Sequence, residues 1–142
     1  MVPPGLDPLA VEAVFLDLDG TILDHGVPSD AVAPALRRLE ATGVRCLIAT
    51  GRMLTSARRI AGEVGIDGPI VCYQGAMVGT VDGEVLSHHP LDAPTARDLI
   101  RAISASGHDA VAFIDEAVYV SRESETAQSY SRNAGVPYHV VG

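Results

Sequence analysis

Apolar residues in the first half of this chain alternate between short runs and helical stripes. Residues 11–16 form a run that stops abruptly at acid, which predicts a buried strand. A loop rich in turn formers follows (Asp24, His25, Gly26, Pro28). Ser29 is then the expected N-cap of a helix with the stripe Val32, Leu36 and Leu39, closed by Gly43 and bent slightly at Pro34. Residues 44–49 predict a second strand. Met53, Ala57, Ile60, Ala61 and Val64 mark a second helical stripe stopped by Gly65, and residues 70–73 a third strand. Strand, helix, strand, helix, strand predicts a parallel α/β sheet with right-handed crossovers.

After Ala76 the rhythm changes. Residues 77–80 and 84–86 flank Asp82-Gly83, a hairpin signal. A helix carrying Leu99, Ile100 and Ile103 follows Asp92; a second hairpin is expected around Asp115-Glu116, then a helix over 124–134 and a last strand over 136–141. This mixture predicts an α+β module after the third strand, with residues 1–78 as one domain and 79–142 as the other.

Composition narrows the picture. Of 142 residues 47% are hydrophobic but only 4% aromatic, so a core of Val, Leu, Ile and Ala is expected, which suits buried parallel strands. A formal charge of −8 argues against nucleic acid, whose phosphates need a basic face. It does not exclude a small phosphorylated substrate, because a metal ion and a few local donors hold phosphate in an acidic protein. Cys46 and Cys72 lie inside apolar runs and read as buried reduced thiols. The first residues lack a basic, apolar leader, and no apolar run approaches the ~20 residues of a membrane span, so a cytoplasmic protein without a membrane partner is expected.

The chemistry gathers in Asp17-Leu18-Asp19-Gly20-Thr21. In extended backbone, residues i and i+2 point to one side, so Asp17 and Asp19 project together, roughly 7 Å apart. They lie just past the carboxyl end of a strand, where open α/β sheets bind ligands. Paired carboxylates repel unless a cation or a shared proton relieves them, and Mg²⁺ with its oxygen ligands is the natural relief. One carboxylate is then free to attack phosphorus while the other handles the leaving group's proton. An Asp-x-Asp by itself is also a common surface turn; the strand before it and the Gly-Thr after it favour the chemical reading. At the end of the second strand, Thr50 offers a hydroxyl and Gly51 close backbone approach, beside a helix N-terminus.

Asp-Leu-Asp-Gly-Thr followed by Ala49-Thr50-Gly51-Arg52 resembles the first two signature motifs of the haloacid dehalogenase (HAD) superfamily. Tyr73-Gln74-Gly75-Ala76 resembles the Asn-Gly-Ala turn of its Cof-type phosphatase branch, with Gln74 where Asn is usual. The resemblance implies a Rossmann-like parallel core followed by the first part of an inserted α+β cap. It implies that Asp17 forms an aspartyl-phosphate and that Asp19 protonates the leaving alcohol and then activates water. Thr50 and the Gly51 amide, with Leu18 and Gly20, would hold phosphate, and Asp17 with the Asp19 carbonyl would ligate Mg²⁺. Arg52 and Gln74 are candidates for substrate contact, with a salt bridge accounting almost as well for Arg52. His25 reads as a solvated loop residue, His88 and His89 as junction or surface residues, and Arg58-Arg59 as a solvated helix face.

The resemblance calls for two further elements not found here: a Lys (occasionally Arg) that neutralises the nucleophile and phosphate, and an acidic pair that completes the Mg²⁺ shell. All ten basic residues are Arg, and Asp109 and Asp115 lie in cap-like sequence. The resemblance thus implies roughly half of a parent enzyme that acts on a small phosphorylated metabolite, a sugar phosphate above all. The open alternatives are a phosphotransferase or mutase of the same superfamily and a non-catalytic fragment. Its partner would be a complementing second half, or another copy meeting an exposed sheet edge.

Overall fold

The computed structural model describes residues 11–141, so the expected loose lead-in over 1–10 lies outside the described residues. The chain divides into two compact units, one up to Ser87 and one from His88.

The first unit follows the predicted rhythm. Strand β1 (Ala13–Leu16) leads through a small antiparallel hairpin, β2 (Leu23–Asp24) and β3 (Val27–Pro28), to helix α1 (Val32–Glu40). Then come β4 (Arg45–Ala49), α2 (Leu54–Val64) and β5 (Ile70–Cys72). β1 pairs parallel with β4, Leu16 opposite Ile48, and β4 parallel with β5, Ile48 opposite Ile70. The three strands therefore end along one edge. α2 forms because its stripe of Leu54, Ala57, Ile60, Ala61 and Val64 buries almost completely, and Gly65 stops it in the left-handed conformation at φ 81°.

Several details depart from the pattern read in the sequence. Among the described residues β1 stands at the sheet's edge, paired with β4, and Phe15 stays 59% exposed where a buried strand was expected. The N-cap of α1 is Ala31, not Ser29, whose carbonyl instead accepts from the Val32 amide. Pro34 then falls in the first helical turn, where its missing N–H has no intrahelical partner to lose, so it gives no reason for a bend. Finally, the hairpin around Asp82-Gly83, β6 (Met77–Gly79) and β7 (Val85–His88), continues the first sheet, whose order is β1-β4-β5-β6-β7. β6 runs antiparallel to β5, Cys72 opposite Met77. The packing boundary thus falls at Ser87, beyond the residue-78 limit drawn from the sequence, because lateral pairing carries the sheet past the change of rhythm.

The second unit holds α3 (Ala93–Ala105), the antiparallel pair β8 (Val111–Ile114) and β9 (Ala117–Val120), α4 (Glu125–Ala134) and β10 (Tyr138–Val140), parallel to β9. Asp92 and Ser124 cap the two helices by accepting from the Thr95 and Ala127 amides. Asp115 and Glu116, at φ 49° and 62°, make the two-residue turn between β8 and β9. Cys46 and Cys72 are buried and, among the described residues, form no disulfide. Among the described residues no helix is long and apolar enough to cross a membrane.

Candidate active site

The loop after β1 realises the expected alternation. Leu18 is fully buried, while Asp17 and Asp19 on either side of it are exposed. The Leu18 side chain anchors the loop to the core, and its carbonyl accepts from the amides of Thr21, Ile22 and Leu23 at 2.9–3.3 Å. Gly20, at φ 73°, turns the chain back, and its amide is committed to the Leu23 carbonyl at 3.1 Å. Of the two residues, Gly20 therefore contributes shape, and only the Leu18 amide remains as a donor a phosphate could use.

The loop after β4 lies beside it, since β1 and β4 are parallel neighbours with Leu16 opposite Ile48. Thr50 is buried; its amide bonds to the Val71 carbonyl at 2.9 Å, and its Oγ1 accepts from the Arg52 amide at 3.2 Å. The hydroxyl proton of Thr50 stays available for an anion. At Gly51 it is space rather than φ that a side chain would meet: a Cβ there would run into the Gln74 carboxamide, the movable tip of an exposed side chain. Gln74 reaches this position because Tyr73, Gln74 and Gly75 all adopt positive φ (50°, 56° and 93°) directly after β5. Non-glycine residues pay for that conformation, and such clusters concentrate at functional sites.

Arg52 joins the two loops. Its Nε donates to Asp19 Oδ2 at 2.8 Å and its Nη2 to Oδ1 at 2.7 Å, while Nη1 donates to Ser56 Oγ at 3.1 Å. The sequence left Arg52 between a substrate contact and a salt bridge; in this structure it makes the salt bridge. These hydrogen bonds hold the Asp19 carboxyl below its ordinary value, against a smaller opposing effect of burial, and the guanidinium charge adds to the lowering. Ser56, only 1% exposed, was missed by sequence reasoning. Its signal was a hydroxyl on the buried stripe of α2, one turn after Arg52.

Among the described residues no three His, Cys, Asp or Glu side chains gather as a metal cage. The donors that remain still suit Mg²⁺, which takes one or two carboxylates plus water and substrate oxygens. Asp17 is exposed, and the backbone bonds of the loop run to the Leu18 and Leu23 carbonyls rather than to that of Asp19. With both Asp19 carboxylate oxygens engaged by Arg52, the Asp19 carbonyl is the better ligand.

The other candidates lie elsewhere. His25 is exposed at the tip of the β2–β3 hairpin, 3.7 Å from Asp24. His88 and His89 are exposed. The Arg58 guanidinium packs against Gly83 at the β6–β7 turn, and Arg59 pairs with Glu63 along α2.

The profile of the haloacid dehalogenase-like hydrolases matches residues 14–139, nearly the whole described chain. The chain belongs to this family. A Haemophilus influenzae relative, provisionally named a phosphatase, is 28% identical over 137 residues, covering 94% of this chain and 50% of its own length. An Enterobacter HMP-PP phosphatase is 34% identical over 86 residues, covering 59% of this chain and 31% of its own. A solved Bacteroides thetaiotaomicron phosphatase of the HAD superfamily matches with a TM-score of 0.73 and 25% identity, over 100% of this chain and 53% of its own. The chain spans about half the length, or less, of these relatives.

Proposed function

We propose that this chain carries the nucleophile and phosphate loop of a Mg²⁺-dependent phosphate-monoester hydrolase that acts through an aspartyl-phosphate. The observation that carries this reading is the two-point bond between Asp19 and Arg52, which ties Asp17-Leu18-Asp19 to Thr50-Gly51-Arg52 at the carboxyl ends of two adjacent parallel strands. An Asp17 oxygen attacks phosphorus; the bond to the ester oxygen breaks, and that oxygen takes a proton from the Asp19 carboxyl. Water then attacks the aspartyl-phosphate and gives a proton to Asp19, and Asp17 leaves as carboxylate with release of phosphate. Thr50 and Gly51 hold the phosphoryl oxygens. Mg²⁺, held by Asp17 and the Asp19 carbonyl, would neutralise charge on phosphate.

The substrate is a small phosphorylated metabolite, a sugar phosphate in the first instance, and the HMP-PP phosphatase relative supports a small phosphorylated organic substrate. The first unit is read as part of the catalytic core and the second as part of a cap. We assign the reaction to the reducing cytoplasm, in keeping with Cys46 and Cys72 being buried outside any disulfide.

The test assays the complete gene product with p-nitrophenyl phosphate and Mg²⁺. Asp17→Asn abolishes turnover, because an amide is a poor nucleophile and a weak ligand. Asp19→Asn lowers it by about 10²–10⁴-fold, as loss of a general acid and base does. Near-wild-type activity in Asp17→Asn would remove the nucleophile assignment.

A further inference from the structure

Arg52 is the one charged side chain among the buried polar residues described, only 8% exposed. Burying a guanidinium is costly unless every donor is met, and the pairing found here returns little stability. Asp19 is 58% exposed, and ion pairs with one end in water contribute little. The arrangement is instead rich in constraint. The planar fork fixes Asp19 at both oxygens, and Ser56 Oγ holds the guanidinium from the other side at 3.1 Å. The Arg52 amide donates to Thr50 Oγ1, and its carbonyl accepts from the Tyr73 amide at 2.9 Å. One residue thus spans the loops after β1, β4 and β5 and the first turn of α2. A carboxylate has about four lone-pair sites; the fork uses one on each oxygen, leaving the solvent-facing pair for a proton.

We propose that Arg52 is a positioning residue for Asp19, fixing its carboxylate toward the leaving-group oxygen of the substrate. The inference rests on the reading of Asp19 as acid and base. A Lys at this position would keep the charge but lose the fork that sets the carboxylate plane.

The consequence is a dependence on leaving group. A sugar alkoxide needs the proton that Asp19 supplies, whereas p-nitrophenolate departs almost without it. The first step alone shows this, because water activation by Asp19 in the second step is common to all substrates. In single-turnover measurements on the complete gene product with Mg²⁺, Arg52→Lys slows release of the sugar from a hexose phosphate by about 10²-fold. Release of p-nitrophenol from p-nitrophenyl phosphate stays within a few-fold, and KM for both stays near wild type. Equal loss on both substrates would make Arg52 merely structural, and a raised KM with unchanged kcat would make it a substrate ligand; either overturns the proposal. Turnover that survives Asp17→Asn marks failure of the underlying mechanism instead.

A second measurement needs no turnover and covers a variant that folds poorly. The ¹⁵N–¹H signal of Arg52 Nε in the wild-type protein is exchange-protected, and in Asp19→Asn it shifts and loses that protection. A signal unprotected in wild type, or unchanged in Asp19→Asn, overturns the proposal.

Discussion

Asp19 makes the residue-scale physics measurable through acid stability. Its ordinary value lies near 3.8, and the folded carboxyl titrates below that, first because Arg52 bonds to both oxygens. A depressed folded value means a stabilising contribution that is fully present above the unfolded value and lost as pH falls through the folded one. The contribution is small, since the half-exposed carboxylate is screened by water. Thermal midpoints measured between roughly pH 6 and pH 2 should therefore fall more steeply below about pH 4 in the wild type than in Asp19→Asn. Parallel curves would mean that the ion pair does not persist in solution. This contact was not legible beforehand: Asp19 and Arg52 stand 33 positions apart, and periodicity says nothing about which loops meet. What was legible is the alternation around Leu18, because strand geometry alone sends neighbours i and i+2 to one side. Gln74 over Gly51 was equally hidden, since it depends on three consecutive left-handed residues of which only Gly75 announces that conformation.

Elements were legible where their signals are local. Helical stripes, terminal glycines and the turns at Asp82-Gly83 and Asp115-Glu116 carry their instructions within a few residues, and the elements stand close to where those signals lie. Lateral order did not show, because sheet neighbours are chosen by long-range pairing; hence the edge position of β1 and the joining of β6 to β5. That joining creates a tight contact that can be tested. A Cβ on Gly79 in β6 would stand 2.6 Å from Leu54 Cδ2 and 3.1 Å from the Glu84 carbonyl oxygen. Leu54 is 3% exposed, and the carbonyl belongs to the hairpin backbone, so neither yields readily. Gly79→Ala should therefore cost about 1–3 kcal/mol, the usual penalty of overpacking, read as a lower urea midpoint with unchanged slope. A neutral result would mean that β6 does not press on α2. Gly51→Ala is the contrasting case, because the atoms in its way are the tip of an exposed Gln74 side chain that can swing out.

At the scale of the whole molecule the site has a charge problem that the chain does not solve. On the proposed reading Asp17, Asp19 and a phosphate dianion would converge in a protein of formal charge −8, and Arg52, the cation seen at the two loops, is already bonded to Asp19. The chain has no Lys, and no acidic cluster among the described residues completes a metal shell. Mg²⁺ dehydrates reluctantly and should bind weakly to one carboxylate and one carbonyl. Among the described residues, moreover, the strand before Asp17 is laddered on one side, by β4. Loss of one preorganised electrostatic stabiliser typically costs ~3–4 kcal/mol in the transition state, and here both a cation and a ligand pair are wanting. Residues 1–142 alone should then hydrolyse p-nitrophenyl phosphate with Mg²⁺ no faster than their Asp17→Asn variant. Robust Mg²⁺-dependent turnover that disappears in the variant would sink this expectation, and would mean that a second copy or an Arg of this chain supplies the missing charge.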